Sequence, residues 1–245
     1  MSADITLRKG LTIPMSGIAD LNISSADSAD NYVVYPSDFH GVVPKMLLKE
    51  GETVLQGQPI FYSKANPEIK FVSPVSGTLT KIERGAKRRI MALSITSDGE
   101  HKAVVHKLAN LDELCAADVR KHLLESGCWS FIKQRPYDVI ADPSSTPKAI
   151  FVSGFNTAPL AADVPFLLSP QKEDFQNGIN ALAKLAPKVH LSVDASSASF
   201  LTEVSNAELH RIKGQHPAGN VGVQVHHIDP VNAGETVWVV GPVDV

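Results

Sequence analysis

The 245-residue sequence predicts an α+β chain in two parts: a β-rich domain over residues 1–105 and an α/β domain over 137–245, joined by a helical linker over 106–136. Three observations carry that reading. Up to about Asp98 the apolar stretches are short and stop at turn residues such as Pro36, Gly41, Gly51, Gly57, Pro74 and Gly77, the pattern of a small barrel or sandwich. From Asn110 to Gly127 apolar residues recur at helical spacing. From Tyr137 onward a strand, a helix and a second strand follow over about 45 residues, a right-handed βαβ unit with parallel strands.

Composition excludes several classes. A chain of this length buries enough surface to fold without disulfides or a structural metal. Its 43% hydrophobic and 20% charged residues are those of a globular protein, and its net charge of -3 offers nothing to nucleic acid. No apolar run reaches the roughly 18 residues of a membrane span. The N-terminal MSADITLRKG lacks the apolar core of a signal peptide. Cys115 and Cys128 are too few and too oddly spaced for a disulfide framework, a zinc site or an iron–sulfur site. The expectation is a reduced, cytoplasmic protein.

The first part holds its own signature. LLKEGETVLQGQPIFYSK (Leu47 to Lys64), followed by SPVSGTL (Ser73 to Leu79), is written like the biotinyl and lipoyl carrier domains, so a barrel-sandwich fold is expected here. Gly51, Gly57 and Gly77 supply turns closed to residues bearing a Cβ. A carrier lysine stands at the tip of a tight hairpin between short flanks, Asp-Lys-Ala or Met-Lys-Met. Lys64 is flanked by Ser63 and Ala65, and Asn66-Pro67 stiffens the loop after it. The reading is therefore a scaffold with an unmodified Lys64.

The helical signals follow in order. In NLDELCAADVRKHLLESG, Asn110 stands three residues before Glu113, the capping-box spacing. Leu111, Leu114, Cys115, Val119 and Leu123 form one stripe, which makes Cys115 a core residue, and Gly127 is a C-terminal stop. KAIFVSG (Lys148 to Gly154) reads as a buried parallel strand. Ser169-Pro170 opens a helix whose inner face is Phe175, Ile179, Leu182 and Ala186, ended by Pro187. KVHLSVD alternates Val189, Leu191 and Val193 inward, and AELHRIKG and TVWVVG are two further strands. The chain stops on GPVDV directly after the last of these, so a longer protein is expected.

Several segments resemble one family, the A subunit of the Na+-translocating NADH:quinone oxidoreductase, the Nqr complex. They include ITLRKGLTIPMSG, PKMLLKEGETVLQGQPIF, NPEIKFVSPVSGTLTKIERGAKR, GCWSFIKQRPY, STPKAIFVSGFNTAPLAAD and GQHPAGNVGVQVHHIDPV, spread over essentially the whole chain. The resemblance implies a biotinyl/lipoyl-like barrel-sandwich domain followed by a Rossmann-like α/β domain, related to the FMN-carrying subunit of complex I but without its flavin. It implies a subunit peripheral to the cytoplasmic face of the membrane, binding quinone or acting as a scaffold. No redox cofactor would be bound tightly. NADH and flavins would sit in partner subunits, and membrane contact would run through those subunits. The alternatives are a dehydrogenase subunit that binds flavin and NADH, and a lipoyl- or biotinyl-type carrier.

The residues refine these implications. A dinucleotide site needs a glycine-rich turn between strand and helix. After Ser153 the chain offers only GFNTAPLAAD, and no GxGxxG occurs anywhere. That turn, with Gly154, Phe155, Asn156 and Thr157, is still the first quinone-site candidate, because ligands of α/β sheets bind beyond the carboxyl ends of strands. Phe155 can stack on a flat ring, and Asn156 and Thr157 can hydrogen-bond a carbonyl. The second candidate is His216, Gly219 and His226. His216-Pro217-Ala218-Gly219 is expected to make a fixed turn, with close backbone approach at Gly222. Adjacent His226 and His227 on a strand would face opposite ways, so no metal site is expected. Arg84, Lys87, Arg88 and Arg89 form the one dense basic cluster, a candidate for docking to a subunit or to the anionic membrane face.

Overall fold

The computed structural model describes residues 3–107 and 110–245. Residues 108–109 of the expected linker and the first two of the chain lie outside it. In chain order the strands are β1 (Ala3–Thr6), β2 (Asn31–Val34), β3 (Pro44–Met46), β4 (Thr53–Val54), β5 (Pro59–Ser63), β6 (Lys70–Val72), β7 (Gly77–Arg84), β8 (Ile90–Ser97), β9 (Lys133–Arg135), β10 (Val139–Ile140), β11 (Ile150–Ser153), β12 (Val189–Asp194), β13 (Glu208–Lys213) and β14 (Val237–Val240). The helices are α1 (Ala116–Glu125), α2 (Val164–Leu168), α3 (Lys172–Leu185) and α4 (Val221–Ile228). Among the described residues no helix is long and apolar enough to cross a membrane.

The chain divides into two compact units. One comprises Met1–Ser24, Ile132–Tyr137 and Asp142–Val245; the other comprises Ser25–Phe131 and Asp138–Ala141. The expected division at residues 105 and 137 therefore needs adjustment at its start. β1 pairs in parallel with β13, Ile5 opposite Ile212, so the first segment joins the α/β unit and not the β-rich one. Nothing in the local sequence of a four-residue strand reveals a partner about 200 positions away.

The β unit is a barrel-sandwich of two antiparallel sheets, β2-β8-β7-β4 and β3-β5-β6. Its interior holds Ile60, Phe61, Phe71, Leu79, Leu93 and Ile95. The Phe61 and Phe71 rings stack at 4.5 Å with 8° between their planes. Gly77 has φ of 155°, and a Cβ there would collide with the Thr96 carbonyl. Lys64 is exposed at the start of the loop joining β5 to β6, its amide donating to the Val43 carbonyl at 2.8 Å. Asn66 organises the rest: its carbonyl accepts from Ile69 N and its Oδ1 from Glu68 N. This is a wide, internally bonded loop. Arg84, Lys87, Arg88 and Arg89 are exposed around the β7–β8 hairpin, with Lys87 and Arg88 at φ of 54° and 61°.

The linker differs from its expected single helix. Asn110 does accept from a backbone amide, that of Asp112, but it caps a 3₁₀ turn, Leu111–Glu113. α1 starts later, at Ala116, where Cys115 is the N-cap and Asp118 accepts from its amide at 3.0 Å. Cys115 is consequently exposed and not part of the core. The Leu114 backbone is extended, which breaks the helical stripe. Gly127, at φ of 80°, ends the segment as expected.

In the α/β unit the sheet order is β1-β13-β12-β11-β14-β9, parallel except for β9. α3 packs against β12 and buries Phe175, Ile179, Leu182 and Leu185. The helix opens at Lys172, with Ser169-Pro170 in the 3₁₀ turn before it. α4 packs against β11, joining Val225 to Ala149, Phe151, Val237 and Val239. Both faces are covered, so the first five residues of β12 are all buried rather than alternating.

Candidate functional site

β11 ends at Ser153, and the backbone turns at Gly154, whose amide donates to the Ser192 carbonyl at 2.7 Å. A Cβ on Gly154 would stand 2.8 Å from Leu201 Cδ1, so only glycine lets the turn lie this close to its neighbours. Asn156 closes an Asx turn, its Oδ1 accepting from Ala158 N at 2.9 Å. Its Nδ2 has no partner among the described residues and is solvent-exposed. Phe155 is only 8% exposed and packs with Ile212 and Ala218.

The turn after β13 meets this one. Ala218 N donates to the Gln215 carbonyl, giving the compact turn expected of HPAG. Gly219 N donates to Thr157 Oγ1 at 2.9 Å, and Thr157 Oγ1 lies 3.2 Å from His216 Nδ1. When the Thr157 hydroxyl donates to Nδ1, the ring proton of His216 sits on Nε2. The close backbone approach falls at Gly219, where a Cβ would be 2.5 Å from Thr157 N. At Gly222 a Cβ meets nothing within 4 Å, which corrects the expectation placed there.

Two clefts flank the 154–157 turn. One, of ≈ 540 Å³, is bordered by Phe155, Asn156, Gly219, the start of α4, Arg135 and Val240. The other, of ≈ 500 Å³, is bordered by Gly154, Phe155, Asn156, Thr157, Leu21 and Asp194. Both lie beyond the carboxyl ends of parallel strands.

The tertiary structure thus gathers Gly154, Phe155, Asn156, Thr157, His216 and Gly219. His216 lines neither cleft and reaches the site only through Thr157. His226 is not brought in. It is exposed on α4, because VGVQVHHI forms a helix and not the extended segment expected; its ring meets that of His227 edge-on at 5.0 Å. One participant escaped the sequence reading. Gln224, 1% exposed, donates to Ser153 Oγ at 2.8 Å and to the Ala218 carbonyl at 3.1 Å, tying α4 to both turns. A lone Gln within VGVQVHHI was its available signal, legible only once the segment is known to be a helix.

A second polar group lies at the opposite, amino-terminal end of the strands. His190 and His210, 2% and 1% exposed, face each other from β12 and β13 with Nδ1 and Nε2 2.9 Å apart. Glu208 Oε2 is 3.6 Å from His190 Nδ1. Burial, with His210 adding to it, lowers the pKa of His190 to about 4.

The family comparisons agree with this two-unit architecture. Residues 5–98 match the NqrA N-terminal barrel-sandwich hybrid domain, and residues 114–245 match the NqrA second alpha/beta domain. The A subunit of the Na(+)-translocating NADH-quinone reductase of Shewanella amazonensis is 37% identical over 244 residues, 98% of this chain and 54% of that protein. The corresponding proteins of Actinobacillus succinogenes and Haemophilus influenzae (strain PittGG) are each 36% identical, over 96% and 98% of this chain and 53% and 55% of their own lengths. The chain spans about half the length of the curated relatives it matches. With both family domains matched in order, the second over more than half of the chain, the chain belongs to the NqrA family.

Proposed function

We propose that the chain serves as the peripheral A subunit of a Na+-pumping NADH:quinone reductase, on the cytoplasmic face of the membrane, and that the clefts around Asn156 receive the quinone head group. The observation that supports this most is the bonded set Thr157–His216–Gly219 at the carboxyl ends of the strands. It holds the 154–157 turn rigid, with the Asn156 amide directed to solvent as a donor for a carbonyl oxygen. Phe155, largely buried and bordering both clefts, offers an apolar wall, and His216 acts as a positioning residue for Thr157. Electrons would arrive from NADH through flavins in partner subunits, so the chain's own residues bind and orient and carry no redox group.

A quinone-analogue titration followed by Trp238 fluorescence tests this reading. Trp238 is fully buried and immediately precedes Val239 and Val240, which line the first cleft. A saturable change that Asn156→Ala weakens supports the site. A flat response at saturating analogue, in this chain and in its full-length relatives, leaves scaffolding alone.

Scaffolding has an observation of its own. Leu11, Ile13, Ile18, Leu21 and Ile23 are all more than half exposed along one segment of the α/β unit, an apolar surface suited to another member of the complex. The basic hairpin of Arg84, Lys87, Arg88 and Arg89 is a further docking candidate, and salt-sensitive association would distinguish it.

A further inference from the structure

The strand register sets three metal-ligating side chains together on one face of β12 and β13. His190 is paired with Glu208 and Ser192 with His210 in the parallel β12–β13 ladder. One donor atom from each of His190, Glu208 and His210 lies within 4.8 Å of the other two. The set stands on the α4 side of the sheet, with the Phe151 ring 4.7 Å from that of His190.

As it stands the arrangement is poorly satisfied. His190 Nε2, His210 Nδ1 and Ser192 Oγ are buried with no hydrogen-bond partner among the described residues. The two rings share one contact, so whichever nitrogen donates there, one ring must keep a buried N–H on its far side without an acceptor. Buried polar groups are rarely left so, and a cluster of them calls for an explanation.

We propose that His190 Nδ1, His210 Nε2 and the Glu208 carboxylate bind a divalent transition-metal ion of the zinc class. Zinc binds imidazole nitrogen at about 2.0–2.1 Å, so two such ligands on one ion stand roughly 3–3.5 Å apart, close to the separations seen here. Two imidazoles and one carboxylate suit Zn2+, Co2+ or Ni2+, and not Mg2+ or Ca2+, which take oxygen ligands. Burial keeps His190 neutral, the form with a lone pair to give. Glu208 is 31% exposed and provides the entry path, and its two oxygens can serve a metal beside another partner.

Coordination places the remaining ring protons on His190 Nε2 and His210 Nδ1. Metal-bound histidines donate that proton to a neighbouring oxygen. Neither ring proton has an acceptor in place among the described residues: the Ser192 hydroxyl, beside His210 in the ladder, and the Asp229 carboxylate, close enough to act electrostatically on His190, would have to turn toward them when the ion binds. The ion would clip β12 to β13 at the end of the sheet away from the clefts.

The test uses the 245-residue chain with Cys115→Ser and Cys128→Ser, stripped with a chelator and titrated with Zn2+ by calorimetry and with Co2+ by visible absorption. The expected result is one equivalent bound, a Co2+ spectrum with imidazole ligands, and a raised Tm. Glu208→Gln is expected to weaken binding at least about tenfold while leaving the metal-free Tm nearly unchanged. His190→Gln and His210→Gln should abolish binding. His226→Ala with His227→Ala, which removes the exposed pair, should leave it intact. No stoichiometric binding overturns the proposal. So does binding that survives Glu208→Gln and disappears with the His226 and His227 pair.

Discussion

Gly219 and Thr157 are locked together from two different loops: the Gly219 amide donates to Thr157 Oγ1 at 2.9 Å, and the space above Gly219 Cα is filled by the Thr157 backbone. A methyl at this position has to displace the 154–157 turn. Gly219→Ala should destabilise the α/β unit by about 1–3 kcal/mol, the usual cost of overpacking. Gly222→Ala, where the added methyl meets open space within a helix, should be neutral or stabilise by up to about 1 kcal/mol. Denaturant melts of the two variants separate a steric effect from a general intolerance of alanine.

Thr157→Val keeps the shape of the side chain and removes its oxygen. The Gly219 amide and His216 Nδ1 both lose a partner, a cost of about 1–3 kcal/mol. Quinone-analogue affinity should fall with it, whereas Thr157→Ser should retain both. Fluorescence titration of the two variants checks the difference. Equal affinities would remove Thr157 from the proposed site.

Lys148 ties the beginning of β11 to the segment between α4 and β14. Its Nζ is 2.6 Å from Asp229, 3.0 Å from Glu235 and 3.1 Å from the Pro230 carbonyl. The Asp229 partner, then Glu235, raises the Lys148 pKa, and the Asn232 amide, then Lys148, lowers that of Glu235. A lowered carboxylate contributes stability above its unfolded pKa, and that contribution is lost as pH falls through its folded value. A raised lysine contributes below its unfolded pKa, and the contribution is lost as pH rises through its folded one. Lys148→Met should therefore melt lower than the parent by a constant amount from about pH 5 to about pH 9, the difference closing in acid and in strong alkali. Thermal melts across that range measure it.

Lys64 lies in a six-residue loop braced by Asn66 and not at the tip of a tight hairpin. The intact mass of the chain, expressed beside active lipoyl and biotinyl ligases, should equal that of the sequence. A mass increment lost in Lys64→Arg would restore the carrier alternative.

The local sequence determined a good deal. Turn residues and short apolar runs marked the β-rich part. The carrier-like glycines identified its barrel-sandwich, a 3.6-residue period placed α3, and short apolar runs placed β11, β12, β13 and β14. All of these depend on a window of a few residues, within which periodicity and turn chemistry are written. The same window placed Gly154 to Thr157 and the His216–Gly219 turn correctly as separate turns. Where local signals compete, the window fails. Cys115 fits a helical stripe and an N-cap equally well, and VGVQVHHI is apolar enough for either a strand or a short helix. What only the tertiary structure decided is which distant pieces meet: β1 beside β13, Thr157 against Gly219, His190 facing His210. Strand order and register are set by total burial over the whole sheet, and a shift of one residue would turn His190 and His210 to the other face. That choice is made by the assembled core, so no stretch of sequence contains it.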